Sequence, residues 1–331
     1  MDAEVFDEFP SPADELAGRT IAVIGYGNQG HAQAQNLRDS GCEVLVGNRD
    51  DEFRAAAQDA GFEVVTIEDA ARRAQIMLLL IPDEVQPEVF RDQIAPGLQD
   101  GDTIVVASGY NVHFGLLDIA DTVDIVMVAP RMIGEGVRDH YERRESVPCL
   151  VSVEHDASGR ARGTALAVAS GIGVLRGAVS SSVREEVALD LFSEQAIWPS
   201  IMAIFQAGYD VLANAGFSDD AILDELYLSG EPAEILGRVS RVGMIGQLGL
   251  HSKTSQYGQL TNLLRSGAFT DQMRERFAGV LNDQILSGAF SQDWSGSDTE
   301  PDADARIAAL RKKAEATSLS VAERAVLDRW S

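Results

Sequence analysis

From residue 20 onward the chain alternates short, β-rich apolar runs with stretches whose apolar positions recur at helical spacing. The runs cover 20–24, 43–47, 62–66, 76–81, 103–107, 124–128 and 149–153, and helical patterns at 31–40, 53–60 and 68–73 separate the first of them. Continuous apolar runs of this kind belong to strands buried on both faces. Their alternation with helices predicts an α/β, doubly wound open sheet over residues 1–182. After residue 182 strand signals stop, and helical periodicity runs through 184–214, 219–246, 256–265, 270–287 and 303–328, which predicts an all-α second domain over 183–331. Residues 1–18 read as an acidic arm or a short helix, and 291–304, with Pro301, as a surface loop. The most apolar run, 75–82, is far too short to span a bilayer.

The first strand leads directly into Gly25-Tyr26-Gly27-Asn28-Gln29-Gly30, a complete GxGxxG placed between a strand and a helix. In that setting the spacing predicts a dinucleotide site: Gly25 for the tight turn, Gly27 for close approach of a pyrophosphate, Gly30 for helix–strand packing. The helix N-terminus adds N–H groups and positive potential. A glycine turn with no ligand is the competing reading. The second strand ends in Asn48-Arg49-Asp50-Asp51. Asp50 and Asp51 suit the ribose hydroxyls of NADH and repel the 2′-phosphate of NADPH, while Arg49 suits either a phosphate or the adenine face, so NADH is favoured. The other ligand loops expected at the carboxyl ends of strands are Pro82-Asp83, Ser108-Gly109-Tyr110-Asn111 and Ala129-Pro130-Arg131.

Composition narrows the partners. The 331 residues carry a net charge of −25, with lysine only at Lys253, Lys312 and Lys313. Such a surface argues against nucleic acid and anionic membranes and leaves a small-molecule substrate. It also suits concentrated salt, where self-repulsion is screened. Two cysteines, Cys42 and Cys149, give no disulfide framework, and the acidic start lacks a signal-peptide pattern. A cytoplasmic location is expected.

Asp190 and Glu194 stack one turn apart on a predicted helix, behind Glu185 and Glu186. Like charges at that spacing repel unless a cation intervenes, and hard oxygen ligands on a helix suit Mg²⁺. A solvated acidic face is the other reading.

These segments together resemble ketol-acid reductoisomerase, the acetohydroxyacid isomeroreductase of branched-chain amino-acid biosynthesis, in its short form. The resemblance rests on residues 24–32, 81–86, 108–115, 128–130, 190–195 and 252–258, in family order and spacing. It implies a Rossmann domain with a knotted helical domain that forms a homodimer or higher oligomer, a nicotinamide cofactor and two Mg²⁺ ions. The implied reaction is alkyl migration in a 2-hydroxy-3-oxo acid followed by hydride reduction. It assigns Asp190, Glu194, Glu225 and Glu231 as metal ligands, the last two on a second helix that Gly230 and Pro232 disturb. Ser252 matches the substrate-carboxylate serine and also suits a helix N-cap. Pro82, Asp83, Gln86 and Gly109 join the glycine loop around the cofactor.

The chain departs from the family at the reacting centre. Ser108 stands where the family has histidine, and cannot replace it as a general acid or base. Arg131 replaces lysine and keeps the charge without the proton transfer. Trp198 stands where the family has a run of small residues, either reshaping the alkyl pocket or packing in the helical core. Arg131, Glu194 and Ser108 are the expected catalytic residues. Three functions follow: a reductoisomerase, a relative reducing a different 2-keto or sugar-type acid, and a non-catalytic dinucleotide-binding paralogue.

Overall fold

A computed structural model of the chain describes residues 3–295 and 303–330. The chain forms two compact units that divide between Asp190 and Leu191.

The first unit is built on a nine-stranded sheet in the order β1-β9-β8-β7-β6-β5-β2-β3-β4. Along the chain its elements are β1 (Val5–Phe6), α1 (Pro12–Glu15), β2 (Ile21–Ile24), α2 (Asn28–Asp39), β3 (Val44–Gly47), α3 (Glu52–Asp59), β4 (Glu63–Val65), α4 (Ile67–Arg73) and β5 (Ile76–Leu79). There follow α5 (Gln86–Val89), β6 (Thr103–Val106), α6 (Tyr110–His113), β7 (Asp124–Pro130), α7 (Gly134–Arg143), β8 (Cys149–His155), α8 (Ala161–Gly171) and β9 (Ala178–Ser180). Strands β2 to β7 pair in parallel, whereas β7 pairs antiparallel with β8 and β1 with β9.

The period-two alternation of the strands sorts their apolar side chains into two layers. Ile21, Val23, Ile76, Leu78 and Val105 share one layer with Ala32, Ala34 and Leu37 of α2. Ala22, Ile24, Met77, Leu79 and Ile104 face the opposite way, against Ile67, Ala70 and Ala71 of α4 and Phe90 and Ile94 beyond α5. Each buried Leu, Ile or Val stabilises the sheet by roughly 1.5–3 kcal/mol.

Three features depart from the sequence reading. The N-terminal arm is not only an arm, because Val5–Phe6 adds an edge strand to β9. The sheet is mixed, because β8 turns back against β7. Helix α8 and strand β9 fill the stretch after residue 153, for which the sequence reading named no element.

Helix α9 (Val183–Phe192) leads out of the first unit and continues through a π-turn, Ser193–Ile197, into α10 (Trp198–Asn214). Pro199 explains the π-turn: its ring excludes a regular i−4 hydrogen bond, and a one-residue bulge relieves the clash. The second unit continues with α11 (Asp219–Leu223), a second π-turn at Asp224–Leu228, α12 (Glu231–Val242), α13 (Lys253–Arg265) and α14 (Gly267–Gly279). It ends with α15 (Ala289–Ser295), α16 (Ala303–Ala314) and α17 (Ser318–Trp330). Tyr209, Ile222, Leu223, Ala322 and Val326 form its small core between α10, α11 and α17. The loop expected at 291–304 is helical at both described ends; 296–302 lie outside the described residues. Among the described residues no helix is long and apolar enough to cross a membrane.

Candidate active site

Strand order reverses between β2 and β5, since β3 and β4 lie on one side of β2 and β5 on the other. Ligands of open α/β sheets bind in the crevice outside the strand ends at such a point. Here the crevice is a cleft of about 220 Å³ with Gln29 on one wall and Ile81, Pro82, Asp83, Ser108 and Pro130 around it. A larger hollow, about 470 Å³, runs along residues 272–284 of a single helical stretch and brings no chemistry together.

The glycine loop has the shape a dinucleotide requires. Gly25 has φ +92°, and a Cβ there would meet Ile81 Cγ2 at 2.7 Å. On Gly30 it would meet the Gly25 carbonyl oxygen at 2.0 Å, so strand and helix touch where only hydrogen fits. A Cβ on Gly27 would meet nothing within 4 Å. The space that Gly27 keeps clear is therefore open, next to the first turn of α2 with its unsatisfied N–H groups. These residues fit a nicotinamide dinucleotide. The other loop residues build the frame. The Tyr26 ring is 2% exposed and packs edge-on to His31 and Phe62, and its N–H donates to Asn48 Oδ1 at 3.1 Å. Tyr26 is thus a core residue whose side chain does not reach the crevice. Asn28 Oδ1 accepts from Gly134 N–H, and Gln29 Nε2 donates to the Met132 carbonyl.

At the end of β3, Asp51 caps α3, accepting from the N–H groups of Phe53 and Arg54. It also pairs with Arg49 Nε at 2.7 Å, and Arg49 is otherwise exposed. Burial works to raise the Asp51 pKa, but the hydrogen bonds from Arg49, the Arg54 N–H and Asn48 outweigh it and lower it. Asp50 is exposed. Asn48, which sequence reasoning passed over, joins the two loops through Tyr26 and Asp51. It directly follows a buried strand, the position where a buried amide does such work.

Across the crevice, Ser108 Oγ lies 3.5 Å from Asp83 Oδ2. Burial, then the charges of Glu84 and Glu186, raise the Asp83 carboxyl to about 6 against a small opposing hydrogen bond from Ser108. Gln86 is 5% exposed; its amide donates to the Ile81 carbonyl and Asp83 Oδ1 and accepts from Asn111 Nδ2. It shapes the Asp83 loop. Gly109 N–H is spent on Glu186 Oε2 at 2.9 Å.

The carboxylates of α9 are already paired. Arg131, at the end of β7, donates through Nη1 to Glu186 Oε1 at 2.7 Å and through Nη2 to Asp190 Oδ1. Burial works to lower the Arg131 pKa, yet Asp190 and then Glu186 raise it. Glu186, 1% exposed, is raised by burial despite the Gly109 N–H and Arg131. Sequence reasoning took Glu186 only as added repulsion, although its spacing to Asp190 equals that from Asp190 to Glu194.

The remaining expected ligands lie in the second unit. Glu194 sits in the first π-turn, Glu225 in the second, and Glu231 opens α12 beyond Gly230, whose φ of +82° ends the preceding helix. All three are exposed. Among the described residues no group of three or more His, Cys, Asp or Glu side chains is arranged to hold a metal ion. With Asp190 already paired to Arg131, that carboxylate does not fit the open metal ligand the resemblance implies. Ser252 caps α13, accepting from Ser255 N–H at 3.2 Å. Trp198 is 52% exposed, so it does not pack in the helical core.

Comparison with known proteins agrees with this frame. Residues 15–178 match the family described as acetohydroxy acid isomeroreductase, NADPH-binding domain, and residues 183–330 match ketol-acid reductoisomerase, C-terminal domain. Over 303 residues the chain is 42% identical to a Saccharolobus solfataricus protein provisionally named ketol-acid reductoisomerase 3, covering 89% of this chain and 88% of the relative. It is 38% identical over 295 residues to the ketol-acid reductoisomerase (NADP(+)) of Pyrobaculum aerophilum, with 88% of each covered. The solved NADH-preferring ketol-acid reductoisomerase from an uncultured archean superposes with a TM-score of 0.86 at 28% identity, covering 98% of each chain. With both family domains matched in order along a single chain, this protein belongs to the ketol-acid reductoisomerase family of nicotinamide-dependent oxidoreductases.

Proposed function

We propose that this chain reduces a small ketol or 2-oxo acid with NADH as the preferred donor, in the cytoplasm, as a family member whose reacting centre has diverged. The observation that carries the reading is the crevice itself: the glycine loop on one side, Asp83 and Ser108 on the other, at the reversal of strand order. Reduced nicotinamide, when bound, supplies the hydride for a carbonyl carbon. The first turn of α2 binds the pyrophosphate, and Gly27 leaves the room for it. Asp51, already fixed by the α3 cap, faces the ribose, and its pairing with Arg49 removes the cation a 2′-phosphate needs. Asp83 keeps its proton up to about pH 6, and Ser108 beside it hydrogen-bonds the carbonyl oxygen that receives it. By the family resemblance Ser252 holds the substrate carboxylate, and Trp198 stands where the family's small residues line the alkyl pocket.

The family reaction joins alkyl migration to this reduction, and Mg²⁺ belongs to that migration. Because Arg131 already pairs with Asp190, no step here is routed through a metal. Reduction without migration is the second reading, and the Arg131–Asp190 pair favours it. The two are separated by following NADH oxidation with 2-acetolactate and with 3-hydroxy-2-oxo acids, with and without Mg²⁺. Turnover of 2-acetolactate supports the reductoisomerase; turnover of the hydroxy-oxo acid alone supports the second reading; neither means the proposal is wrong.

A homodimer completes the proposal. Met202, Val211, Phe217 and Leu264 of the helical unit are 61–84% exposed, apolar side chains that a second copy would cover. Light scattering that reports a monomer in molar salt would remove that part.

A further inference from the structure

We propose that the Arg131 guanidinium is a built-in cation: it sits between Glu186 and Asp190 and pairs with the very carboxylate to which the family resemblance assigns a divalent ion, so Asp190 is not an open metal ligand in this chain. The inference rests on the proposed function only for identifying the crevice as the reacting centre. Its geometry stands on the first unit alone.

Glu186 and Asp190 lie four residues apart on α9, so their carboxylates stack on one face. Two stacked anions need a cation between them, and more so when one is buried. The planar fork of arginine meets both at once, one nitrogen to each carboxylate. The second oxygen of Glu186 already accepts the Gly109 N–H. Arg131 itself is anchored, since its N–H donates to the Pro148 carbonyl at 2.8 Å. The guanidinium keeps its proton at every pH the protein meets, so the position carries a constant charge. An incoming Mg²⁺ would shed water reluctantly and would have to displace a charge-assisted pair held on both sides. The lysine that the family carries here is a compact, strongly hydrated point charge on a flexible stem, without the planar fork that fixes arginine between two carboxylates.

The test measures ion binding, not turnover, and so stands whether or not any acid is reduced. Mn²⁺ is titrated into the full chain, stripped of metal, and the free ion is counted by electron paramagnetic resonance. The wild type is expected to bind with a Kd no tighter than about millimolar, and Asp190→Asn to leave that value unchanged. Arg131→Lys, which keeps the charge, is expected to bind Mn²⁺ at least about tenfold tighter, a gain of roughly 1.4 kcal/mol. Submillimolar binding by the wild type that Asp190→Asn abolishes would overturn the inference, and so would an Arg131→Lys affinity equal to wild type. Should Arg131→Lys not fold, the wild type and Asp190→Asn decide alone.

Discussion

Asn28 Oδ1 accepts the N–H of Gly134 at 2.7 Å, a bond between residues 106 positions apart. With the Gln29–Met132 bond it ties the first turn of α2 to the loop after β7. The two loops therefore form one rigid wall of the crevice. A Cβ on Gly134 would lie 1.9 Å from the Asn28 carbonyl oxygen, a backbone atom that cannot swing aside. Gly134→Ala should cost about 2 kcal/mol and weaken NADH binding about tenfold. Urea unfolding and fluorescence titration of NADH check both.

The Arg49–Asp51 pair predicts how cofactor choice can be moved. Asp51→Ser keeps an N-cap of equal quality, so stability should stay within about 0.5 kcal/mol of wild type. Arg49 is then released to meet a 2′-phosphate. The ratio of kcat/KM for NADPH over NADH should rise about tenfold, a preference worth roughly 1.4 kcal/mol. An unchanged ratio would show that Arg49 lies outside the phosphate's reach.

Asp83, raised to about 6 chiefly by burial and by Glu84, binds its proton more tightly folded than unfolded. Its contribution to stability is therefore full below the unfolded pKa and lost as pH rises through about 6. Asp83→Asn should be more stable than wild type by about 3 kcal/mol at pH 8. The difference should vanish near pH 4, roughly the unfolded carboxyl pKa. The wild-type kcat/KM profile should bend near pH 6. That bend should be missing from Asp83→Asn, along with most of the activity.

Two leucines separate core from candidate interface. Leu37 is fully buried under the sheet, and a Cβ on Gly171 would stand 2.7 Å from its Cδ2. Leu37→Ala should cost about 3 kcal/mol in chemical unfolding. Leu264, 84% exposed, has no such packing within the chain. Leu264→Asp should leave secondary structure intact and change the oligomer seen by light scattering.

The central strands were readable because both their faces are buried: Ile21–Ile24 and Ile76–Leu79 carry no polar position to blur the pattern. Helix α8 was not readable, since Ala161–Gly171 is rich in small residues and buried over most of its length, leaving no amphipathic stripe. Strand β9 is three residues long, and its partner β1 lies at the other end of the first unit. No local pattern announces such a pairing. At the site, the glycine loop was legible because backbone geometry dictates glycine. The Glu186–Arg131–Asp190 pairing was not, because a helix spacing shows which carboxylates stack but not which cation β7 will bring to them. The break between Glu225 and Glu231 was legible as well: Gly230, read from the sequence as disturbing that helix, has a left-handed backbone there.

The two-residue strand Val5–Phe6 covers the outer side of β9, with Gly177 N–H donating to the Phe6 carbonyl and Ser180 N–H to the Glu4 carbonyl. Arg162 braces it by pairing with Glu4 and lying over the Phe6 ring. Without these first few residues β9 would present bare donors and acceptors to any passing chain. Proteolytic trimming before Asp7 should therefore show itself first as precipitation on storage, while freshly trimmed protein still binds its cofactor.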